Sequence, residues 1–306
     1  MSEQKKESGK FPTEELDRIA ADFQGRIGFY LEDLNTGTTY QHNEVQRFPT
    51  ASVCKIPVMI ELFRQVNEGR LALDDRRRLH GDISTHGSGL LQLTEDEPEL
   101  TLHDYCRLMI SVSDNIATDF LIGVVGLEAI NATLDALGFP NTRTSTTLGR
   151  YHYRMFGMDD VPCNRENDKI QRQKSQTEGV DFNSVSFSDS LENNVAAPGE
   201  MGAMMKMLYQ GEIVSPPVSA DMIDMLKRCN DRRMIARDLD PDVEIAHKTG
   251  SSGRIKGDVG IVFLSSGPLV ISAFALASAD GVRGDEAIAQ ISRLAVEALS
   301  PESVVE

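Results

Sequence analysis

The chain has 306 residues, 40% of them hydrophobic and 25% charged, a globular balance that excludes a fibrous repeat and wholesale disorder. Thirty-one basic residues against forty-seven acidic ones leave a net charge of -16, which repels a phosphate backbone and argues against nucleic acid as a partner. The length allows one large domain or two small ones, and the order of the motifs below favours one.

Residues 1–10 are polar and lack the apolar stretch of roughly 7–15 residues that a secretory signal needs. The expectation is a cytoplasmic protein, or an exported one whose leader has been removed. Residues 14–22 read as a helix with a charged outer face, and the alternating stretch 28–32 followed by Asn35-Thr36-Gly37 reads as a hairpin. Over 52–69 the apolar positions Val53, Ile56, Met59, Ile60 and Phe63 recur at three- and four-residue steps, which predicts a helix with a buried face, ended by Gly69. Pro57 inside it calls for a bend or a later first turn. Arg76-Arg77-Arg78, beside Asp74 and Asp75, reads as a solvated turn.

Helices are expected over 102–111, 116–125 and 127–137, the last closed by Gly138 and Pro140. The segment 142–194 is polar, with little periodicity after Met158, and reads as one long loop of the kind that carries function. Helices over 199–209 and 220–228 follow, then strands over 243–247, 257–264 and 269–277, and a closing helix over 285–299. No apolar run approaches the ~20 residues of a bilayer span.

This order predicts an α+β fold, an α/β/α sandwich. An antiparallel sheet is flanked by the N- and C-terminal helices, with an all-helical region, about residues 52–210, inserted beside it. The expected division is a segment and helix over 1–24, one catalytic domain over 25–299 and a tail over 300–306. Cys54, Cys106, Cys163 and Cys229 form no CxxC pair and read as free thiols; the histidines show no HxxxH spacing, so neither a metal nor a cofactor is expected.

Three short elements carry chemistry: Ser52-Val53-Cys54-Lys55, Ser113-Asp114-Asn115 and Lys248-Thr249-Gly250. A hydroxyl is a poor nucleophile and needs a base within reach and donors for the oxyanion it creates. Residues three apart on a helix share a face, so Lys55 reaches the side of Ser52, and a partly desolvated amine can lose its proton near neutral pH. Free N–H groups at a helix start favour developing negative charge. Ser113-Asp114-Asn115 could also be a plain helix N-cap, and Lys248-Thr249-Gly250 a strand end turning at glycine. Their occurrence in order after Ser52 and Lys55 favours the catalytic reading of both. His247, beside Lys248, suggests a Ser–His dyad, but strand alternation turns it to the other face.

The three motifs together resemble those of class A β-lactamases and penicillin-binding proteins. The resemblance covers most of 25–299 and includes Gly87-Ser88-Gly89-Leu90-Leu91 and Ala136-Leu137-Gly138. It implies that Ser52 is acylated with the help of Lys55, and that Ser113 relays a proton to the leaving nitrogen. Asn115 would hold a side-chain amide of the substrate, and Lys248 with Thr249 would bind its carboxylate. Gly250 would permit close approach, and the backbone N–H groups of Ser52 and Ser251 would form the oxyanion hole. The partner implied is a small β-lactam, peptide or ester.

The pattern breaks at one place. The family carries a glutamate, with an asparagine four residues on, that activates the water freeing the acyl-enzyme. Here 144–149 hold no carboxylate, and the segment is expanded until the pattern resumes near 194–198. Asp160 and Asn164 have the spacing to stand in, whereas Glu166 and Glu178 lack a matching asparagine and read as solvated. The expectation is a serine hydrolase equipped for acylation, with weak or atypical β-lactam hydrolysis. The alternatives are a D-alanyl carboxypeptidase- or esterase-like acyl transferase, or a penicillin sensor that acylates without turnover. Nothing in the sequence sets the oligomeric state.

Overall fold

The computed structural model describes residues 11–84 and 87–305, so the N-terminal stretch 1–10 and its bearing on export lie outside the described residues. Helix α1 (Thr13–Asp22) leads into β1 (Gly25–Asp33), β2 (Thr39–His42) and the short β3 (Phe48–Pro49). A 3₁₀ turn over Ala51–Cys54 then feeds α2 (Lys55–Asn67). The α-helix thus starts three residues later than the periodicity indicates. Pro57 consequently falls in the first turn, where a backbone N–H has no intrahelical partner to lose, and no kink is needed.

Arg76-Arg77-Arg78 is a correction: it is not a turn but strand β4 (Arg76–Arg78), paired antiparallel with β5 (Glu99–Thr101). Arg76 and Arg78 lie on one side of the strand and both reach Glu99, at 3.5 and 3.7 Å. The strand is fully exposed, so its apolar content gives no sign of it. Helices α3 (Leu102–Ser111), α4 (Asn115–Val125) and α5 (Leu127–Ala136) complete the first half of the helical block.

The segment 142–194 is the larger correction, because it is ordered into α6 (Leu148–Arg154), α7 (Asn167–Thr177) and a 3₁₀ turn over Val185–Phe187. Thr147 caps α6 by accepting from the N–H of Arg150, and Leu148, Tyr151 and Met155 bury one face. Helix α7 is polar but for the exposed Ile170 and is anchored by the buried Asp168, which accepts from Ser84 Oγ at 2.8 Å and Tyr153 Oη at 2.7 Å. The base of the segment is tied by Asn194, whose Oδ1 accepts from the N–H groups of Ser145 and Thr146 at 2.8 and 3.0 Å.

Strand β6 (Val195–Ala196), helices α8 (Pro198–Gln210) and α9 (Pro216–Leu226), strands β7 (Glu244–Ser252), β8 (Ile255–Leu264) and β9 (Gly267–Ala277), and helix α10 (Gly284–Leu299) follow. The main sheet runs β2-β1-β9-β8-β7, antiparallel throughout. Strands β8 and β9 are almost continuously buried because both faces are covered. One face packs Leu269, Ile271 and Ala273 against Leu16 of α1 and Ile288, Ile291 and Ala295 of α10. The other packs Val259, Ile261 and Phe274 against α2 and against Met201, Met204 and Met205 of α8.

This is the α+β sandwich that the sequence predicts, with the helical block beyond α2. Among the described residues no single helix is long and apolar enough to cross a membrane; the bent pair α4–α5 passes by composition and is the buried centre of that block.

Candidate active site

Strand β7 lies at one edge of the sheet and packs against the 3₁₀ turn that holds Ser52. Their separation is set at Gly250. A Cβ there would stand 2.3 Å from the carbonyl oxygen of Thr50 and 3.1 Å from the amide nitrogen of Ser52, so only glycine lets the strand come this close. The strand expected over 243–247 is longer: β7 continues to Ser252 in register with β8, and Gly250 serves the approach, not a turn. Ala51 and Ser113, on either side of the cleft, hold left-handed φ values of 44° and 56°. Such conformations cost on the order of 1–3 kcal/mol each and gather at functional sites.

Lys55 has no exposure to solvent. Its ammonium donates to the carbonyl oxygen of Ser113 at 2.7 Å, to Ser113 Oγ at 2.9 Å and to Asn115 Oδ1 at 2.8 Å, which satisfies all three of its protons. Burial, reinforced by the charge of Lys248, lowers its pKa to about 7. At neutral pH the amine therefore both holds and gives up a proton. The N-cap reading of Ser113-Asp114-Asn115 is met by its middle residue, while Ser113 and Asn115 turn to Lys55. Asp114 is the N-cap of α4, accepting from the N–H of Ala117 at 2.9 Å. Its other oxygen accepts from the N–H groups of Leu90 and Leu91 at 2.6 and 2.9 Å. Gly89 is required there, since a Cβ would stand 2.3 Å from that carboxylate.

A cleft of about 470 Å³ is lined by Ser52, Ser113, Lys248, Thr249 and Ser251, with Cys229, Asp231 and Arg233 on its wall. Thr249 Oγ1 donates to Asp231 Oδ2 at 3.1 Å, and Arg233 grips the same carboxylate through two bonds of 2.8 and 2.7 Å. Burial alone would raise the Asp231 pKa, but these bonds hold it down at about 2. Lys248 is buried and donates to the carbonyl oxygen of Thr249 at 2.9 Å, and Lys256 donates to Ser251 Oγ at 2.9 Å. Arg233 and Lys248 line the cleft and Lys256 reaches Ser251 at its rim, cations that suit an anionic ligand. Arg233 and Asp231 carry no motif in the sequence, and only the fold brings them here. A groove of similar size between α1 and α10 is lined by Arg18, Arg283, Arg293 and Glu286 and holds no nucleophile.

On the other side of Ser52 lies a hollow of about 120 Å³, lined by Gly87, Asn115, Leu148, Tyr151, His152 and Ser252 among others, with no carboxylate. The expected stand-ins for the water-activating pair are elsewhere. Asn164 accepts from the N–H of Asn167 at the start of α7, and Asp160 and Glu166 are exposed. Glu178, also exposed, pairs with Lys174. Leu148 and His152 occupy the hollow instead, four residues apart, the same spacing as the expected glutamate and asparagine. Two backbone N–H groups, those of Leu148 and Gly149, donate to Asp119 at 2.6 and 2.8 Å and fix where α6 begins. His152 Nδ1 lies 2.7 Å from the carbonyl oxygen of Leu148, which only accepts, so Nδ1 carries the proton. In the sequence His152 is marked only by its spacing from Leu148.

A family model described as the beta-lactamase enzyme family matches residues 12–299, and the chain belongs to that family. It is 22% identical over 290 residues to a β-lactamase of Rhodobacter capsulatus, covering 93% of this chain and 87% of that protein. A solved β-lactamase structure from Sphaerobacter thermophilus superposes with a TM-score of 0.75 at 30% identity, covering 94% of this chain and 95% of the other. The structure of PBP-A gives a TM-score of 0.75 at 25% identity, covering 93% and 94%.

Gly250→Ala is expected to push β7 away from the Ser52 turn, costing about 1–3 kcal/mol of stability and slowing labelling of the protein by a fluorescent penicillin. Denaturant titration and the labelling rate measure the two effects.

Proposed function

We propose that the protein is a serine hydrolase that opens β-lactams, or related amides and esters, through an acyl-enzyme on Ser52, and that it releases the acyl group slowly. The observation that carries the first half is Lys55, a buried amine with a pKa of about 7 that is hydrogen-bonded to Ser113. In its neutral form it accepts the Ser52 proton while Oγ attacks the substrate carbonyl carbon. The oxyanion is met by the backbone N–H groups of Ser52 and Ser251. As the tetrahedral adduct collapses, the C–N or C–O bond breaks and Ser113 delivers a proton, resupplied by Lys55, to the leaving atom. Asn115 orients the acyl side chain, and Lys248 with Thr249 binds the substrate carboxylate, with Arg233 adding positive charge to the same wall.

The observation that carries the second half is Leu148. Hydrolysis of the ester needs a water made nucleophilic by a base, and the hollow beside Ser52 presents an apolar side chain where a carboxylate would serve. The same observation favours a second reading, in which the acyl group is held as in a penicillin sensor, or the natural acyl-enzyme is a more labile ester, as in a D-alanyl carboxypeptidase, or is passed to another acceptor. Stable occupancy by a penicillin, with turnover of small labile esters, would follow from either.

Ser52→Ala is expected to abolish the adduct with a fluorescent penicillin, and labelling that survives it would move the nucleophile elsewhere. In the wild type the acylation rate is expected to rise with pH through about 7 and level off above it, because the base is the deprotonated amine. A rate that is flat or falls over that range contradicts Lys55 as base. Leu148→Glu is expected to speed loss of the adduct by about 10²-fold, the size of a general-base effect, as followed by intact mass.

A further inference from the structure

We propose that Cys229 is a reactive thiol in the wall of the substrate cleft, a covalent modification site for small disulfides and other soft electrophiles, oriented by His247 and Asp258. Cys229 follows the C-terminal end of α9. Its N–H bonds the carbonyl oxygen of Leu226 at 3.1 Å, and the next N–H bonds that of Ser111 at 3.0 Å. This pins the thiol beside Lys248 and Thr249 on the cleft wall.

Behind it, His247 is buried, with its Nδ1 2.9 Å from Asp258 Oδ1. The second oxygen of Asp258 accepts from the N–H of Ile235 at 2.9 Å, so this fully buried carboxylate cannot turn away. A carboxylate accepts, hence Nδ1 is the protonated nitrogen, and the other ring nitrogen is the one left to take a proton from the neighbouring Cys229. Among the described residues no group of three or more such side chains is disposed to hold a metal ion. The trio is the base-assisted, carboxylate-oriented arrangement that activates a cysteine.

Its electrostatics agree. Burial would raise the Cys229 pKa, but the neighbouring His247, with Lys248 behind it, brings it down to about 7. Burial would lower the His247 pKa, but Asp258 and the thiolate lift it to about 10. The charged groups facing the thiol are His247 and Lys248 on β7 and Asp258 on β8, with Asp231 and Arg233 in its own loop lining the same cleft. The end of α3 contributes Ser111 and Val112, which carry no charge. The other thiols run the opposite way, since burial raises Cys54 to about 11, Cys106 to about 12 and Cys163 above the ordinary range.

The step balances without a further reagent. The Cys229 thiolate attacks one sulfur of the disulfide, the old S–S bond breaks as the new one forms, and the departing thiolate takes a proton from solvent. The disulfide is the oxidant, and a thiol reductant reverses the exchange. A cap at this place narrows the cleft between Lys248 and Ser113 and keeps substrate from Ser52.

The test alkylates the native protein with limiting iodoacetamide from pH 5 to 9 and maps the labelled cysteines by peptide mass. The expectation is that Cys229 labels at least tenfold faster than Cys54, Cys106 and Cys163, with an inflection near pH 7. Cys229→Ser should lose the fast phase. Equal rates among the four, or an inflection at the ordinary thiol value of about 8.5, would overturn the proposal. Asp258→Asn should move the inflection upward; because this variant could also loosen the fold, the wild-type inflection decides. Capping with oxidised glutathione is expected to cut fluorescent penicillin labelling at least tenfold and dithiothreitol to restore it. Full labelling of the capped protein would overturn the occlusion. That arm rests on the reading of Ser52 above: failure of the uncapped protein to take penicillin would count against Ser52 while the alkylation rates still decide Cys229.

Discussion

Burying an amine costs several kcal/mol as an ion unless its protons are satisfied, and the protein buries Lys55 at the start of a core helix with a hydrogen bond for each of them. Those acceptors come from the Ser113–Asn115 corner, which is shaped by the Asp114 cap of α4 and by the close approach of Gly89. The positive φ of Ser113 directs both its carbonyl and its hydroxyl at one nitrogen. Two remote stretches of chain therefore agree on the position of one amine. The same burial brings its pKa down to where proton transfer is useful, so stability and chemistry draw on one contact.

The second constraint is the edge strand. Strand β7 lies close against the Ser52 turn, and Gly250 makes that distance possible; the proposed oxyanion hole, one backbone N–H from each, depends on it. Being at the sheet edge, β7 presents Lys248, Thr249 and Ser251 to the cleft while its other face carries His247 into the interior. The alternation of one strand thus separates the substrate-facing cations from the Cys229–His247–Asp258 trio by a single peptide.

Much of this was legible in the sequence, for physical reasons. The sheet and its flanking helices announce themselves because burial imposes periods of two and of three to four on apolar residues. The three motifs announce themselves because their members are adjacent on one turn, one corner and one strand. What escaped is held by contacts that leave no period. Helix α7 has a single buried carboxylate, Asp168, in place of an apolar stripe, and β4 is three arginines in solvent. Asp231 meets Thr249, and Cys229 meets His247, only after the segment between α9 and β7 folds back. The spacing of Asp160 and Asn164 matched the pattern, yet Asn164 caps the next helix and Asp160 faces solvent, whereas Leu148 and His152 line the hollow.

Under the proposed function, a site built in this way separates the two halves of an acyl-transfer cycle: an amine, a relay hydroxyl and donors for the first, an apolar residue in place of a base for the second. The most direct measurement is the pre-steady-state release of chromophore from a chromogenic cephalosporin in excess. The account predicts a burst of one equivalent per Ser52, followed by a much slower linear phase. Release that is linear from the start and fast would contradict slow deacylation, and no release with either a cephalosporin or an activated ester would contradict acylation itself.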